Sequence, residues 1–279
     1  MNILSTIGWS DYELLDSGDS KRIERFGNYT ICRPDPQAIW KTNQKKWAYD
    51  SKYEENKGWD KKFNNDWILN YKNIKLRAKQ TQFKHTGIFP EQVINWEFIE
   101  NKIASQEKQP NVLNLFGYTG AATLLCASNG AKVTHLDGSK PSINWAKENQ
   151  ELSGLKDKPI RWILDDALEF TARESRRGNL YDEVIMDPPV YGHGPNGQIW
   201  NFNKSFPELL SNIKKIMSKN PIFFIVNAYA ISSSSVMLKN MLEDYLGFES
   251  KKIEYGELAI KEKQRDRLLS TGLFARWPS

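Results

Sequence analysis

Four acidic residues between positions 137 and 187 are the side chains most suited to chemistry in this sequence. Asp137, the pair Asp165 and Asp166, and Asp187 follow or end apolar runs of the kind that form buried parallel strands. A carboxylate at such a strand end can accept both hydroxyl protons of a ribose, and Asp166 could accept the exocyclic amine of adenine. One acid alone is more often a helix cap, but four at successive strand ends indicate a nucleoside site.

A glycine pair precedes these acids and suggests where the rest of such a ligand would lie. Gly117 and Gly120 follow the apolar run 112–116, and Asp137 lies twenty residues after Gly117. We expect a sharp strand-to-helix turn in which Gly117 lets a ligand approach and the amides of residues 119–122 attract a carboxylate or phosphate. A dinucleotide loop would read G-x-G-x-x-G. The pair favours S-adenosylmethionine, with an NAD-dependent oxidoreductase or a ligand-free turn as the alternatives.

The segment from Asp182 to Pro189 predicts a strand that ends at Asp187 and leads into a stiff loop. We expect Asp187 and the backbone carbonyls of Pro188 and Pro189 to orient a nucleophile, with Tyr191 stacking on a base. Val190 separates the second proline from the aromatic residue, so this is not the adenine-N6 or cytosine-N4 signature. His193, in the glycine-rich loop 192–197, is either a base or substrate contact or a structural residue.

The elements that must position these side chains alternate regularly from residue 111 onward. Strands are expected at 111–116, 132–137, 160–165, 182–187 and 221–228, with helices at 119–129, 139–153, 167–177, 204–218 and 233–245. Residues 248–260 and 268–277 form two further strand-like runs without a helix between them. The pattern predicts an α/β fold, a Rossmann-like doubly wound, seven-stranded, mostly parallel sheet with a C-terminal antiparallel hairpin.

Residues 1–104 lack this alternation and predict a small α+β domain, followed by a second domain at 105–279. Short runs at 29–33 and 67–72 indicate antiparallel strands, and a helix is expected at 91–103. Lys41 to Lys84 contains twelve basic and five acidic residues interleaved with aromatic ones, within a chain of net charge +5. This segment could follow a phosphate backbone and stack bases, or it could be a solvated lysine surface.

Composition excludes several other classes of protein. Two cysteines, Cys32 and Cys126, rule out a disulfide framework and a four-cysteine zinc site, and no metal site is indicated. The first twenty residues do not form a secretory signal, and no run of eighteen apolar residues predicts a membrane span. We therefore expect a cytoplasmic protein. A monomer and a homodimer are both compatible with the sequence.

The motifs at 113–120, 137, 165–167 and 187–191 resemble those of class I S-adenosylmethionine-dependent methyltransferases. More narrowly, they look like the bacterial large-subunit ribosomal RNA methyltransferases that modify cytosine C5 or guanine, in which the loop similar to 84–92 helps close the cofactor pocket. The resemblance implies catalytic roles for Asp187, Pro188, Pro189 and Tyr191. It implies cofactor contacts for Thr86, Phe89, Phe116, Gly117, Tyr118, Thr119, Gly120, Asp137, Gly138, Ser139, Asp165, Asp166, Ala167 and Asp187.

Two departures from that group change the expected chemistry. Its cytosine-C5 enzymes place a catalytic cysteine after the fifth strand, where this chain has residues 227–230 without cysteine. We also expect no counterpart of its amino-terminal RNA-binding PUA domain, so RNA contact would fall to the Lys41 to Lys84 segment. We therefore expect methylation of a base nitrogen of ribosomal RNA. A small molecule or a protein is the alternative substrate, and a non-catalytic RNA-binding module is a further alternative.

Overall fold

The computed structural model describes residues 1–43, 46–63, 66–229, 231 and 233–279. They fall into two units. The parallel-sheet unit comprises 1–3, 95–257 and 272–279, and the N-terminal unit comprises 4–94 and 258–271. The sequence predicts a boundary at 104/105, whereas these units divide between Ile94 and Asn95, and each takes a share of the C-terminal residues.

Strands dominate the first ninety described residues. Their bounds are β1 (Asn2–Thr6), β2 (Tyr12–Gly18), β3 (Lys21–Phe26), β4 (Tyr29–Pro34), β5 (Ser51–Glu54), β6 (Gly58–Trp59), β7 (Trp67–Tyr71) and β8 (Ile74–Ala78).

Helices and strands then alternate along the remaining chain. Their bounds are α1 (Val93–Ala104), β9 (Asn111–Leu115), α2 (Ala121–Ser128), β10 (Lys132–Asp137), α3 (Lys140–Leu152), β11 (Ile160–Leu164), α4 (Ala167–Arg177), β12 (Glu183–Met186), β13 (Tyr191–His193), β14 (Ile199–Asn201), α5 (Phe202–Ile216), β15 (Phe223–Ala228), α6 (Ser235–Met241), β16 (Glu254–Lys261) and β17 (Leu268–Pro278).

The N-terminal unit is built from strands. Strands β2 to β6 form a five-stranded sheet, and β7 pairs with β8 in an antiparallel hairpin. In β7, Trp67, Leu69 and Tyr71 are buried while the residues between them are exposed, the two-residue period of a half-buried strand. The described residues of this unit are almost entirely strand and loop, and its helical content is the short 3-10 turn Pro90–Gln92 and the first two residues of α1. Helix α1, counted with this domain from sequence, lies almost entirely in the parallel-sheet unit.

The main sheet has the strand order β1-β16-β17-β15-β12-β9-β10-β11. Neighbouring strands from β15 through β11 run parallel, and β17 pairs antiparallel to β15. This confirms the Rossmann-like fold with its C-terminal hairpin. The sheet has eight strands rather than seven, because the edge strand β1 joins β16. The chain order reverses at β9, since β10 lies on one side of it and β12 on the other, and ligands of such sheets bind at this switch point.

Both faces of the sheet are covered, which explains its apolar central strands. Leu113 and Leu115 of β9 belong to a cluster with residues of α4, α5 and α6. Val112 faces the other way, in a cluster with Ile99 of α1 and Cys126 of α2. A strand buried on two faces reads as a continuous apolar run, which is why β9 was recognisable in the sequence. Cys126 is a buried free thiol, as expected. No described helix is long and apolar enough to cross a membrane.

One buried carboxyl stands out within this sheet. Glu183 of β12 is fully buried, and neither of its carboxyl oxygens has a hydrogen-bond partner among the described residues. Burial raises the pKa of Glu183 from 4.5 to about 8, and the neighbouring Asp182 adds to the shift. The folded protein therefore holds a proton at neutral pH that the unfolded chain releases.

This proton makes stability depend on pH. Because the folded-state pKa is raised, the stabilisation is fully present below pH 4.5 and is lost as pH rises to about 8. We expect the free energy of unfolding to fall, relative to Glu183→Gln, by up to ~1.4 kcal/mol per pH unit across that window. Urea denaturation of both proteins at pH 5, 6, 7 and 8 measures the difference. Parallel pH profiles would contradict the assignment.

Candidate cofactor and substrate site

The turn after β9, residues 116–120, is where the sequence predicts cofactor binding, and we call it the cofactor bend. Phe116 and Tyr118 adopt left-handed backbone conformations, with φ of 56° and 49°. Such values are uncommon for residues other than glycine, and they persist where surrounding contacts hold them. The Gly117 amide donates to the carbonyl of Leu136 at 3.0 Å. The bend is therefore anchored to the neighbouring strand β10.

Gly117 is required for a reason that the sequence analysis did not foresee. A Cβ on Gly117 would lie 2.4 Å from Cε1 and 2.5 Å from Nδ1 of His135. The expectation that this bare Cα makes room for a ligand is therefore wrong, because the missing Cβ points at a buried ring. Any ligand contact of Gly117 would come from its backbone. Strand β10 is buried on both faces from Val133 to Leu136, so no alternation in the sequence marked His135 as the residue beneath the bend.

His135 is held beneath the bend by two polar side chains. Its Nδ1 lies 2.8 Å from the hydroxyl of Thr123, which accepts a hydrogen bond from the Asn114 amide at 2.9 Å. Which of the two atoms donates in this contact depends on the tautomer of the ring. Nε2 has no partner among the described residues. Burial lowers the pKa of His135 to about 3, so the ring is neutral at pH 7.

Asp137, at the end of β10, fixes the bend from the other side. Its Oδ2 accepts the Tyr118 amide at 2.9 Å, and its Oδ1 accepts the Ser139 amide at 2.8 Å. Burial raises the pKa of Asp137 above its ordinary value, although the hydrogen bonds from these two amides lower that pKa in part. Each carboxylate oxygen can accept more than one hydrogen bond. The residue can therefore hold the bend and also receive two ribose hydroxyls.

The helix that leaves the bend opens without a side-chain cap. Gly120 is the N-cap of α2, with φ of 85°, and it has no side chain to bond the first-turn amides. A Cβ there would lie 2.9 Å from the Cβ of Ala146, so the glycine also allows α3 to pack closely. Asn149 of α3 donates to the Thr119 carbonyl at 2.9 Å. The positive end of α2 is thus available to a carboxylate.

The acidic pair after β11 is largely engaged by the protein itself. Asp166 caps α4, and its Oδ1 accepts the amides of Leu168 and Glu169 at 2.9 and 3.0 Å. Its Oδ2 makes no hydrogen bond to the described residues and can receive an amine. Asp165 forms an ion pair with Arg173. The predicted adenine contact therefore suits Asp166 better than Asp165, and Ala167 is buried in the core beside them.

The loop after β12, which the sequence predicts to be a glycine-rich loop, forms a small hairpin. Strands β13 and β14 pair antiparallel, with Gly192 opposite Trp200. The indole Nε1 of Trp200 donates to the Pro189 carbonyl at 2.6 Å. One of the two carbonyls predicted to orient a nucleophile is therefore already hydrogen-bonded. The missed signal was the Asn196-Gly197 turn between two short apolar runs.

This hairpin reaches across the ends of the strands. A Cβ on Gly138, just past β10, would lie 3.2 Å from the His193 carbonyl. On the outer side, Tyr191 is 54% exposed, and its ring meets that of His193 edge-on at 5.3 Å. Tyr191 and His193 thus share the exposed face, beside the end of β12 where Asp187 lies.

Other predicted site residues lie farther from the cofactor bend or in the other unit. Asn227, at the end of β15, is buried and accepts a hydrogen bond from Asn95 of α1 at 3.0 Å. Ala230, at the end of the segment compared with the cysteine motif, lies outside the described residues. Thr86 and Phe89 belong to the N-terminal unit, and their cofactor contacts stay predictions.

The basic and aromatic segment of the N-terminal unit looks different from the expectation. Trp47 donates to Asp16 at 2.7 Å, Trp59 donates to the Thr81 carbonyl at 3.0 Å, and Phe63 stacks on Tyr29. Each of these rings therefore has a partner within the unit. The lysines at 41, 46, 57, 61, 62, 72 and 75 are exposed, while residues 44, 45, 64 and 65 lie outside the described residues.

Similar proteins support the interpretation of this site. No family model matches the sequence. A crystal structure of a SAM-dependent methyltransferase from Agrobacterium tumefaciens is 36% identical, with a TM-score of 0.92, and the match covers 100% of this chain and 93% of that one. SMU.776, solved in complex with SAH, has a TM-score of 0.67 at 18% identity, covering 95% of this chain and 75% of that one, which concerns the fold alone.

A curated relative adds a narrower similarity. The ribosomal RNA large subunit methyltransferase K/L of Shewanella frigidimarina is 33% identical over 148 residues, which are 52% of this chain and 20% of that protein. The chain thus spans only about a fifth of that relative's length.

The His135 contact leads to a prediction about the bend. Gly117→Ala should weaken binding of S-adenosylhomocysteine roughly tenfold or more, because the added methyl displaces either the ring or the bend. His135→Ala in the same chain should restore part of the affinity by removing the obstructing ring. Calorimetric titration of the wild type, both single variants and the double variant measures this. If the double variant bound no better than Gly117→Ala, the clash with His135 would not be the cause.

Proposed function

Because the chain belongs to the S-adenosylmethionine-dependent methyltransferases, we propose that it methylates a base nitrogen of ribosomal RNA. The cofactor supplies an electrophilic methyl group on a sulfonium. The curated relative is named for ribosomal RNA, but this chain spans only part of it, so the substrate is our proposal. We also propose that the protein acts in the cytoplasm, where such a substrate is made.

In this proposal the cofactor lies along the ends of β9, β10 and β11. Asp137 receives the ribose hydroxyls, the uncapped first turn of α2 receives the carboxylate, and Oδ2 of Asp166 receives the adenine amine. The hydrogen-bond arrangement supports each role, since each group keeps capacity to accept or donate beyond its bonds within the protein.

The hairpin beside Asp187 is the observation that carries the substrate class. Residues 188–203 contain no Asp, Glu, Lys or Arg. Three apolar or aromatic side chains of the hairpin are exposed, namely Val190 at 43%, Tyr191 at 54% and Ile199 at 64%. An uncharged surface with an exposed ring suits the flat face of a nucleobase, whereas a phosphate or a charged peptide would leave its charge unpaired. The base would be turned out of its stack to reach it.

Cysteine chemistry is not available for the transfer. Attack at cytosine C5 requires a thiolate that adds to C6, but the chain has only Cys32 and Cys126, and both are buried. Burial raises the pKa of the Cys126 thiol, which keeps it protonated. A ring or exocyclic nitrogen needs only a directed lone pair and a proton acceptor. Asp187, half-buried at the end of β12, supplies the acceptor in this proposal.

Contact with the RNA backbone would fall to the exposed lysines of the N-terminal unit. These side chains can neutralise phosphates without reading sequence, so binding should weaken as salt rises. Because Trp47, Trp59 and Phe63 have partners within the unit, we assign base stacking to the hairpin and not to this segment.

The proposal predicts a defined reaction. With radiolabelled S-adenosylmethionine and ribosomal RNA from cells lacking the gene, the wild type should produce an N-methylated nucleoside, identified by mass spectrometry. Asp187→Asn should lower kcat by roughly a hundredfold or more, since it removes the proton acceptor. Asp157→Asn is the matched control and should retain activity, because Asp157 is exposed and precedes β11, away from the carboxyl ends of the strands.

Two outcomes would redirect the proposal. If the label were transferred to a small molecule or a protein and none appeared in RNA, the proposed RNA substrate would be wrong, but the methyltransferase activity would stand. Equal kcat for Asp187→Asn and Asp157→Asn would remove Asp187 from the chemistry.

A further inference from the structure

We infer that Trp200 is a positioning residue that couples the cofactor bend to the substrate hairpin. The inference rests on the proposed cofactor site and adds a connection to it. Trp200 is 3% exposed and lies on β14, on the face opposite Tyr191 and His193. It belongs to the hydrophobic core cluster against which Phe116 packs, and it contacts both parts of the site.

The first contact fixes the substrate side. The Trp200 indole donates to the Pro189 carbonyl at 2.6 Å. Pro189 has no amide hydrogen to join a strand ladder, so its carbonyl is the polar group through which this part of the loop is held. The Phe202 amide donates to the Val190 carbonyl at 3.0 Å. The backbone just before Tyr191 is therefore tied to the β14 side of the hairpin through Trp200 and Phe202.

The second contact reaches the cofactor bend. The ring of Phe116 meets the Trp200 ring edge-on, with centroids 4.9 Å apart and an angle of 60°. Phe116 is one of the two non-glycine residues of the bend with a left-handed backbone. Such a conformation persists only while surrounding contacts hold it, so a ligand that adds contacts to the bend also acts on Phe116.

Through these two contacts Trp200 connects the cofactor bend to the hairpin. A ligand that fixes the cofactor bend also fixes the Phe116 ring, and so favours one position of the Trp200 indole. That indole in turn sets the Pro189 carbonyl and the direction of Tyr191. Cofactor occupancy would thus order the hairpin before a base arrives. The expected effect is modest, because it is carried by one hydrogen bond and one ring pair.

Two substitutions separate the contacts. Trp200→Phe keeps a ring against Phe116 but removes the indole N–H, and Trp200→Leu removes both interactions. Trp277→Phe is the matched control, because its indole stacks on Phe248 at 4.3 Å and its Nε1 has no partner among the described residues. Circular dichroism and thermal melting check that each variant folds.

Hydrogen exchange with S-adenosylhomocysteine tests the link without needing a substrate. In the wild type and in Trp277→Phe, the ligand should slow amide exchange in residues 187–201 roughly tenfold. In Trp200→Leu the ligand should still slow amide exchange in residues 116–124 but should leave the exchange rates of residues 187–201 unchanged. In Trp200→Phe the slowing in residues 187–201 should be intermediate between that in Trp200→Leu and that in the wild type. In protein labelled with 5-fluorotryptophan, the resonance lost in Trp200→Phe should shift on ligand binding.

The failures of this inference and of the proposed site are distinguishable. If calorimetry shows binding but residues 187–201 respond equally in Trp200→Leu and the wild type, or the Trp200 resonance stays fixed, the coupling is overturned and the cofactor site stands. If S-adenosylhomocysteine does not bind, or protects a region other than 116–124, the proposed site and the inference are both overturned.

Discussion

The arrangement depends on a turn held in a backbone conformation that its own residues disfavour. Phe116 and Tyr118 are left-handed, and the Tyr118 amide is kept in place by the Asp137 carboxylate. Beneath the turn, the ring of His135 occupies the space that a side chain at residue 117 would need. Together these contacts hold the backbone at residues 117 and 118 before any ligand arrives, and a partly preformed site loses less entropy on binding.

Strand order brings the necessary groups to this turn. Strand β9 lies between β10 and β12 in the sheet. The bend, Asp137 and Asp187 follow or end these three adjacent strands, so they lie together at the carboxyl ends of the strands. The reversal of chain direction at β9 opens a crevice there. The hairpin that follows β12 crosses towards the end of β10 and meets Gly138. In the proposed arrangement the bend and Asp137 bind the cofactor and the hairpin receives the substrate, while Trp200 contacts both the bend and the hairpin.

Much of this could be predicted because the signals are local. The expected bounds of β10 and α4 agree with the structure, since apolar periodicity and a capping Asp166 mark them in the chain itself. What was missed depends on partners distant in sequence. Strand β1 is recognisable only from its pairing with β16, and β13 and β14 are three residues each, too short for a periodic signal. The close approach of Gly117 to His135 and the hydrogen bond from Trp200 to Pro189 likewise join residues that are separated in the sequence, so no local pattern indicated them.

The central claim is that the bend and Asp137 bind the cofactor. A crystal structure with S-adenosylhomocysteine tests it most directly. The account predicts both ribose hydroxyls within about 2.6 to 3.2 Å of the Asp137 carboxylate oxygens, with the amino-acid tail against the first-turn amides of α2. A ligand bound elsewhere, or one whose ribose leaves Asp137 bonded only to Tyr118 and Ser139, would contradict it.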